Sequence, residues 1–106
     1  MNMTTELTPF TLWVDDIRKP PVGIHYLYAQ STNQAIRIIQ AFMPYIDCID
    51  IDHDAGDFVS DGGDYIKILD WMEEENISIP IHIHSMNPVG VRNMRAIIQH
   101  NGWEEV

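Results

Sequence analysis

Three short stretches place chemically capable side chains at close spacing: Asp15-Asp16, Asp52-His53-Asp54 and His82-Ile83-His84-Ser85. Carboxylates brought to one place repel each other, so they must either hold protons or share a cation. Oxygen donors of this kind suit magnesium, calcium or manganese, and an imidazole widens the choice towards manganese, iron or zinc. His82 and His84 lie two apart, which on a strand puts them on one face. That spacing serves either a pair of metal ligands or an acid–base pair around one phosphate, and His53 could join either role. Phosphate itself has candidate partners nearby. Asn87-Pro88 has the form of a helix start, whose free N–H groups up to Gly90 favour an anion. Arg18 follows the first acid pair by two residues, and Arg92 falls in the first turns of that helix.

Several familiar motifs do not fit. The run Asp50-x-Asp52-x-Asp54 starts like a calcium loop, but the turn glycine comes one place late at Gly56 and position twelve is Asp61 instead of Glu. His82-Ile83-His84 is followed by Ser85-Met86-Asn87 where a metallo-β-lactamase motif requires Asp-His. His84-Ser85 lacks the second His-x-Ser/Thr of a two-histidine phosphoesterase. No Walker-type loop and no nucleophile elbow is present.

The elements that must position these residues follow from the apolar pattern. Phe10 to Val14 is a β-rich run ending abruptly in Asp15-Asp16, and His25 to Tyr28 is a second short strand after the Pro-containing stretch 17–23. Ser31 or Thr32 caps a helix whose apolar stripe is Ala35, Ile36, Ile39, Phe42 and Met43, and Pro44 stops it. Tyr45 to Ile51 is a third strand, Asp64 to Glu75 a second helix, and Ile79 to Ile83 a fourth strand. A last helix starts at Asn87-Pro88 and ends near Gly102, and Trp103 to Val106 could add an edge strand. Strands alternating with helices predict an α/β fold with a mostly parallel sheet. In such sheets ligands bind beyond the carboxyl ends of the strands, and all three chemical stretches sit at those ends.

Size and charge narrow the function classes. The chain has 106 residues, which predicts a single domain over 1–106 with a flexible N-terminal stretch over 1–8. Sixteen acids against six bases give a net charge of −10, which disfavours duplex DNA and anionic membranes as nonspecific partners. Seven aspartates fall between Asp47 and Asp64. One cysteine, Cys48, excludes an internal disulfide and points to a reducing compartment. No apolar run approaches the ~20 residues of a membrane span, and no secretory leader is visible, so a cytoplasmic location without membrane contact is expected.

Two related families share the order of these features. The acid pair, the Asp ending strand three and the Ser ending strand four resemble response-regulator receiver domains, with Asp15-Asp16, Asp52 and Ser85 in those places. Receivers also need a Lys ending a fifth strand, and this chain has none there. The fuller series resembles the cyclic-phosphate-processing receiver-like family over about residues 10 to 98. It comprises Leu12-Trp13-Val14-Asp15-Asp16-Ile17-Arg18-Lys19-Pro20-Pro21, Asp52-His53-Asp54-Ala55-Gly56, Ile83-His84-Ser85-Met86-Asn87-Pro88-Val89-Gly90 and Asn93-Met94. The resemblance implies a receiver-like (flavodoxin-like) three-layer α/β sandwich with a sheet of four or five strands. It also implies a phosphoesterase acting on 2′,3′-cyclic phosphate RNA ends or cyclic nucleotides, in bacterial or phage conflict systems. On that reading Asp15, Asp16, Asp52 and Asp54 hold a divalent ion, magnesium or manganese. His53, His82 and His84 are the catalytic candidates, and Arg18, Ser85, Asn87 and Arg92 hold phosphate. The alternative is a receiver-like module without catalysis that binds a cyclic nucleotide or a partner protein. Exposed aromatics such as Tyr45 and Trp103 leave a second copy of the chain among the candidate partners.

Overall fold

A computed structural model describes residues 8–106. Most of the expected flexible N-terminal stretch, residues 1–7, lies outside the described residues. Four strands are formed: β1 (Phe10–Val14), β2 (Tyr26–Ala29), β3 (Ile46–Ile51) and β4 (Ile81–Ile83). They pair in the order β2-β1-β3-β4, all parallel. Three helices connect them: α1 (Thr32–Phe42), α2 (Ile66–Glu74) and α3 (Pro88–Asn101). The receiver-like α/β class expected from the sequence is the one formed. At the C-terminus, Ile81 N–H donates to Glu104 O and Val106 N–H to Ile81 O, so the last residues pair in parallel beside β4 over a single bridge. Among the described residues no helix is long and apolar enough to cross a membrane.

Local chemistry sets the ends of the helices. The Ser31 hydroxyl accepts from Gln34 N–H and caps α1, while Asn87 Oδ1 accepts from Gly90 N–H and caps α3, with Pro88 at its first position. Pro44 ends α1 and diverts the chain into a short 3-10 turn at Met43–Tyr45. The second strand begins one residue later than expected and the fourth two residues later, because Ile79-Pro80 only leads into the ladder and a proline has no N–H to give it.

The period-2 alternation of the strands sorts side chains onto two unlike faces. Leu12, Val14, Ile49, Ile51 and Ile81 share one face and are fully buried. They form one hydrophobic cluster with Ala35 and Ile39 of α1, Ile68, Leu69 and Met72 of α2, and Met94 and Ile98 of α3. Burying each of these larger side chains stabilises by roughly 1.5–3 kcal/mol before entropy is counted. All three helices therefore lie on this face, so the described residues form two layers and not the three expected. Crossover handedness explains why. The connections β2-α1-β3 and β3-α2-β4 step across the sheet in the same direction, and right-handed crossovers then share a face. The step from β1 to β2 runs the other way and has no helix among its residues. On the opposite face, Tyr28, Trp13, Asp50 and His82 form one cross-strand row, and the β1–β2 connection takes the place of a helical layer. There Trp13 is covered, and its indole N–H donates to Arg18 O at 2.6 Å.

Candidate active site at the strand ends

The sheet ladder continues one residue past three strands and fixes the register of the site. Asp15 N–H donates to Ala29 O, Asp52 N–H to Val14 O and His84 N–H to Ile51 O. These three side chains then converge, with one ligand atom of each within 4.8 Å of the others. Their meeting is a consequence of parallel pairing, since each follows the last residue of its strand.

His84 is the most constrained group. Its Nε2 lies 2.9 Å from Asp15 Oδ2 and its Nδ1 2.6 Å from Asp50 Oδ1. Its ring stacks on Trp13 with centroids 4.1 Å apart and planes at 5°. Only a ring with a proton on each nitrogen can donate to both carboxylates, so this geometry is that of an imidazolium. Burial alone would lower the His84 pKa, but the hydrogen bonds to Asp50 and Asp15 outweigh it and hold the pKa above the ordinary value. The carboxylates respond in the opposite sense. Burial would raise Asp15, yet the N–H groups of Arg18 and Ile17 and the His84 ring hold its pKa down. For Asp50, burial is opposed by His84 and by His82, whose Nδ1 lies 2.9 Å away, and the pKa is again low.

Asp16 differs. Burial first, then the charges of Asp15 and Asp52, raise its pKa. Its carboxylate lies against the Cα of Gly56, where a Cβ would collide with Oδ2, and Gly56 has φ 54°. The oxygen donors of Asp15, Asp16 and Asp52, crowded enough to penalise a second and third negative charge, are a donor set that fits a hard divalent cation.

A second group forms beside it. His53 Nδ1 lies 2.8 Å from Asp54 Oδ1, and Asn87 Nδ2 donates to the same Asp54 oxygen at 3.3 Å. The His53 ring packs on the first turn of α3 so closely that a Cβ at Gly90 would overlap it. Asp64 completes this group, and its Oδ1 accepts from Ala55 N–H. Asp54 therefore stands with His53 and Asp64, apart from the set of Asp15, Asp52 and His84.

The other expected residues are dispersed around these two groups. Arg18 reaches the end of β4, with Nη1 3.4 Å from His84 O. Ser85 Oγ accepts from Asn87 N–H, and Asn87 is both the cap of α3 and a partner of Asp54. Arg92 is exposed on α3 and lines a groove with Ser85. His82 is half-exposed on the face without helices and touches Asp50. Two contributors escaped the sequence reading: Asp50, which binds both histidines, and Trp13, which carries the His84 ring. Strand alternation in the sequence puts each of Trp13, Asp50 and His82 on the face opposite the apolar one, but only the register between strands brings them into one row. Tyr28 extends that row, and its buried hydroxyl has no hydrogen-bond partner among the described residues.

No curated protein and no solved structure matches the chain. The sequence model of the cyclic-phosphate processing receiver domain matches residues 10–100, which span β1 to the last turns of α3 and every residue of the two groups. With more than four-fifths of its length matched and Asp15, Asp52 and His84 held together at the strand ends, the chain belongs to the cyclic-phosphate processing receiver family.

Proposed function

We propose that the protein is a phosphoesterase that opens a cyclic phosphate, with 2′,3′-cyclic phosphate RNA ends or cyclic nucleotides as substrates. The observation that carries this reading is the convergence of Asp15, Asp52 and His84 at three adjacent strand ends, inside a family that processes cyclic phosphates. Asp15, Asp16 and Asp52 would hold a divalent ion, magnesium or manganese. When bound, such an ion supplies Lewis-acid polarisation of a phosphoryl oxygen and a water of lowered pKa.

The chain's own residues divide the remaining work. His84, protonated and pinned by two carboxylates, orients Asp15 and supplies a buried positive charge. With both nitrogens engaged, it has no free lone pair for proton abstraction. The general acid–base role passes to His53, whose Nδ1 donates to Asp54 and whose ring packs on Gly90. A carboxylate on one nitrogen orients the ring and leaves Nε2 free to take a proton. In the reaction a water oxygen bonds to phosphorus while one P–O bond to the ribose breaks. The proton lost by the water is taken at His53 Nε2 and released from there to solvent, and a solvent water gives one to the departing ribose oxygen, leaving a phosphomonoester. Arg18 and the N–H of Val89 in the first turn of α3 hold phosphate oxygens.

Turnover of 2′,3′-cyclic AMP with magnesium or manganese tests this assignment. His53→Ala is expected to lower kcat by about 10²–10⁴-fold, the range of a lost general acid–base group, with substrate binding retained. Wild-type turnover that His53→Ala leaves unchanged would remove His53 from the mechanism.

A further inference from the structure

The groove along α3 begins at Ser85, one residue beyond His84, and is broadly open to solvent, with a volume of about 550 Å³. That volume lies in the range of small-molecule sites, roughly 300–1,000 Å³. Its lining is mixed. Met86, Pro88 and Val91 give an apolar wall, while Arg92 and Gln99 add a planar cation and an amide. Met86 is 85% exposed, so no core contact accounts for an apolar side chain at this place. Arg95 closes one side through a two-pronged ion pair with Glu105, at 2.9 and 2.6 Å, which ties α3 to the C-terminal bridge. Charge adds a second argument. In a chain of net charge −10 with only six bases, Arg92 in the groove and Arg18 at the end of β4 have no carboxylate partner among the described residues.

We propose that this groove is a nucleoside subsite, so that the cyclic phosphate at the strand ends belongs to a nucleotide and not to a small alkyl diester. The inference rests on the cyclic-phosphate reading of the strand-end site. A nucleobase has two flat apolar faces and a donor–acceptor edge. Met86, Pro88 and Val91 match the faces, Arg92 stacks on a π-system, and Gln99 offers both a donor and an acceptor to the edge. The anionic part of the same ligand meets Arg18 and the start of α3.

The test is an amide chemical-shift titration of the full chain carrying His53→Ala, which is expected to bind without turnover, with magnesium present, using 2′,3′-cyclic AMP and, separately, glycerol 1,2-cyclic phosphate. The adenosine ester is expected to shift the amides of Val91, Arg92, Ala96 and Gln99 and to bind at least tenfold more tightly. Ala96 is exposed, so Ala96→Trp fills the groove without disturbing the core. That variant should bring the adenosine ester down to the affinity of the glycerol ester, which itself stays unchanged. Gln99→Ala should weaken the adenosine ester alone, by severalfold. Equal affinity for the two esters, shifts confined to Asp15, Asp16 and Asp52, or equal loss of both esters in Ala96→Trp would overturn the subsite. If neither cyclic ester binds, the cyclic-phosphate reading fails, and adenosine 5′-monophosphate then decides the groove. Shifts along α3 uphold it, and their absence overturns it.

Discussion

His84 is bound on both ring nitrogens and stacked on Trp13, so its removal strands two carboxylates that it now neutralises. Side-chain exposure is 10% for His84 and 2% for Asp15, which places this pair well inside the protein. Breaking a buried pair by deleting one partner costs about 3–5 kcal/mol, and His84→Ala is expected to lose that much in urea denaturation without added metal. The loss depends on pH in a determined sense. The folded pKa of His84 is raised, so its contribution is complete below the unfolded value of about 6.5 and disappears as pH rises through the folded value. The folded pKa values of Asp15 and Asp50 are lowered, so their contributions are present above about 3.9 and disappear as pH falls through the folded values. The stability gap between wild type and His84→Ala should therefore be widest in mildly acidic solution and should narrow towards alkaline pH. A gap independent of pH would show that the ring acts by packing alone. Tyr28 is the converse case. An unpaired buried hydroxyl costs about 1–3 kcal/mol, so Tyr28→Phe should raise the thermal midpoint of the protein without ligand. A fall would mean that the hydroxyl has a partner in solution.

At the level of elements, the site depends on helix and loop starts that leave little freedom. The His53 ring occupies the space where a Cβ at residue 90 would lie. Gly90→Ala should therefore displace His53, at a cost of about 1–3 kcal/mol by overpacking, and should cut turnover as His53→Ala does. Unchanged stability and turnover would show that the ring has another seat. Much of this was legible in the sequence. The abrupt passage from Val14 to Asp15, from Ile51 to Asp52 and from Ile83 to His84 marked the strand ends, and Ser31 and Asn87-Pro88 marked two helix starts. The pairing of Asp50 with His82 and His84 was not legible, because it depends on the register between β3 and β4, which a single chain does not display. The separation of Asp54 from Asp52 was hidden for a related reason. Beyond the last strand residue the two-residue alternation ends, and His53 and Asp54 follow the turn towards α3 instead.

Across the whole molecule the two sheet faces have different characters. One is a closed apolar core under three helices, and the other is an acidic, aromatic surface bearing the β1–β2 connection. Cys48 reports on that second face. Burial first, then the charges of Asp50, Asp47 and Glu104, push its thiol up to about 11. Alkylation of Cys48 by iodoacetamide should therefore be slow at pH 8 and should accelerate up to about pH 11. A rate at pH 8 equal to that of an unperturbed thiol, with pKa about 8.5, would show that the face is less acidic than described. The fold itself follows from the order of elements: a strand pair without an intervening helix, then three helices, each following a strand. It delivers three strand ends to one edge, and the proposed chemistry depends on that convergence. The most direct test is phosphorus NMR of 2′,3′-cyclic AMP incubated with the protein and magnesium or manganese. Conversion of the cyclic-ester resonance to a phosphomonoester by wild type, abolished in Asp52→Asn, is the predicted result. A cyclic ester that persists unchanged with wild type in either metal would contradict it.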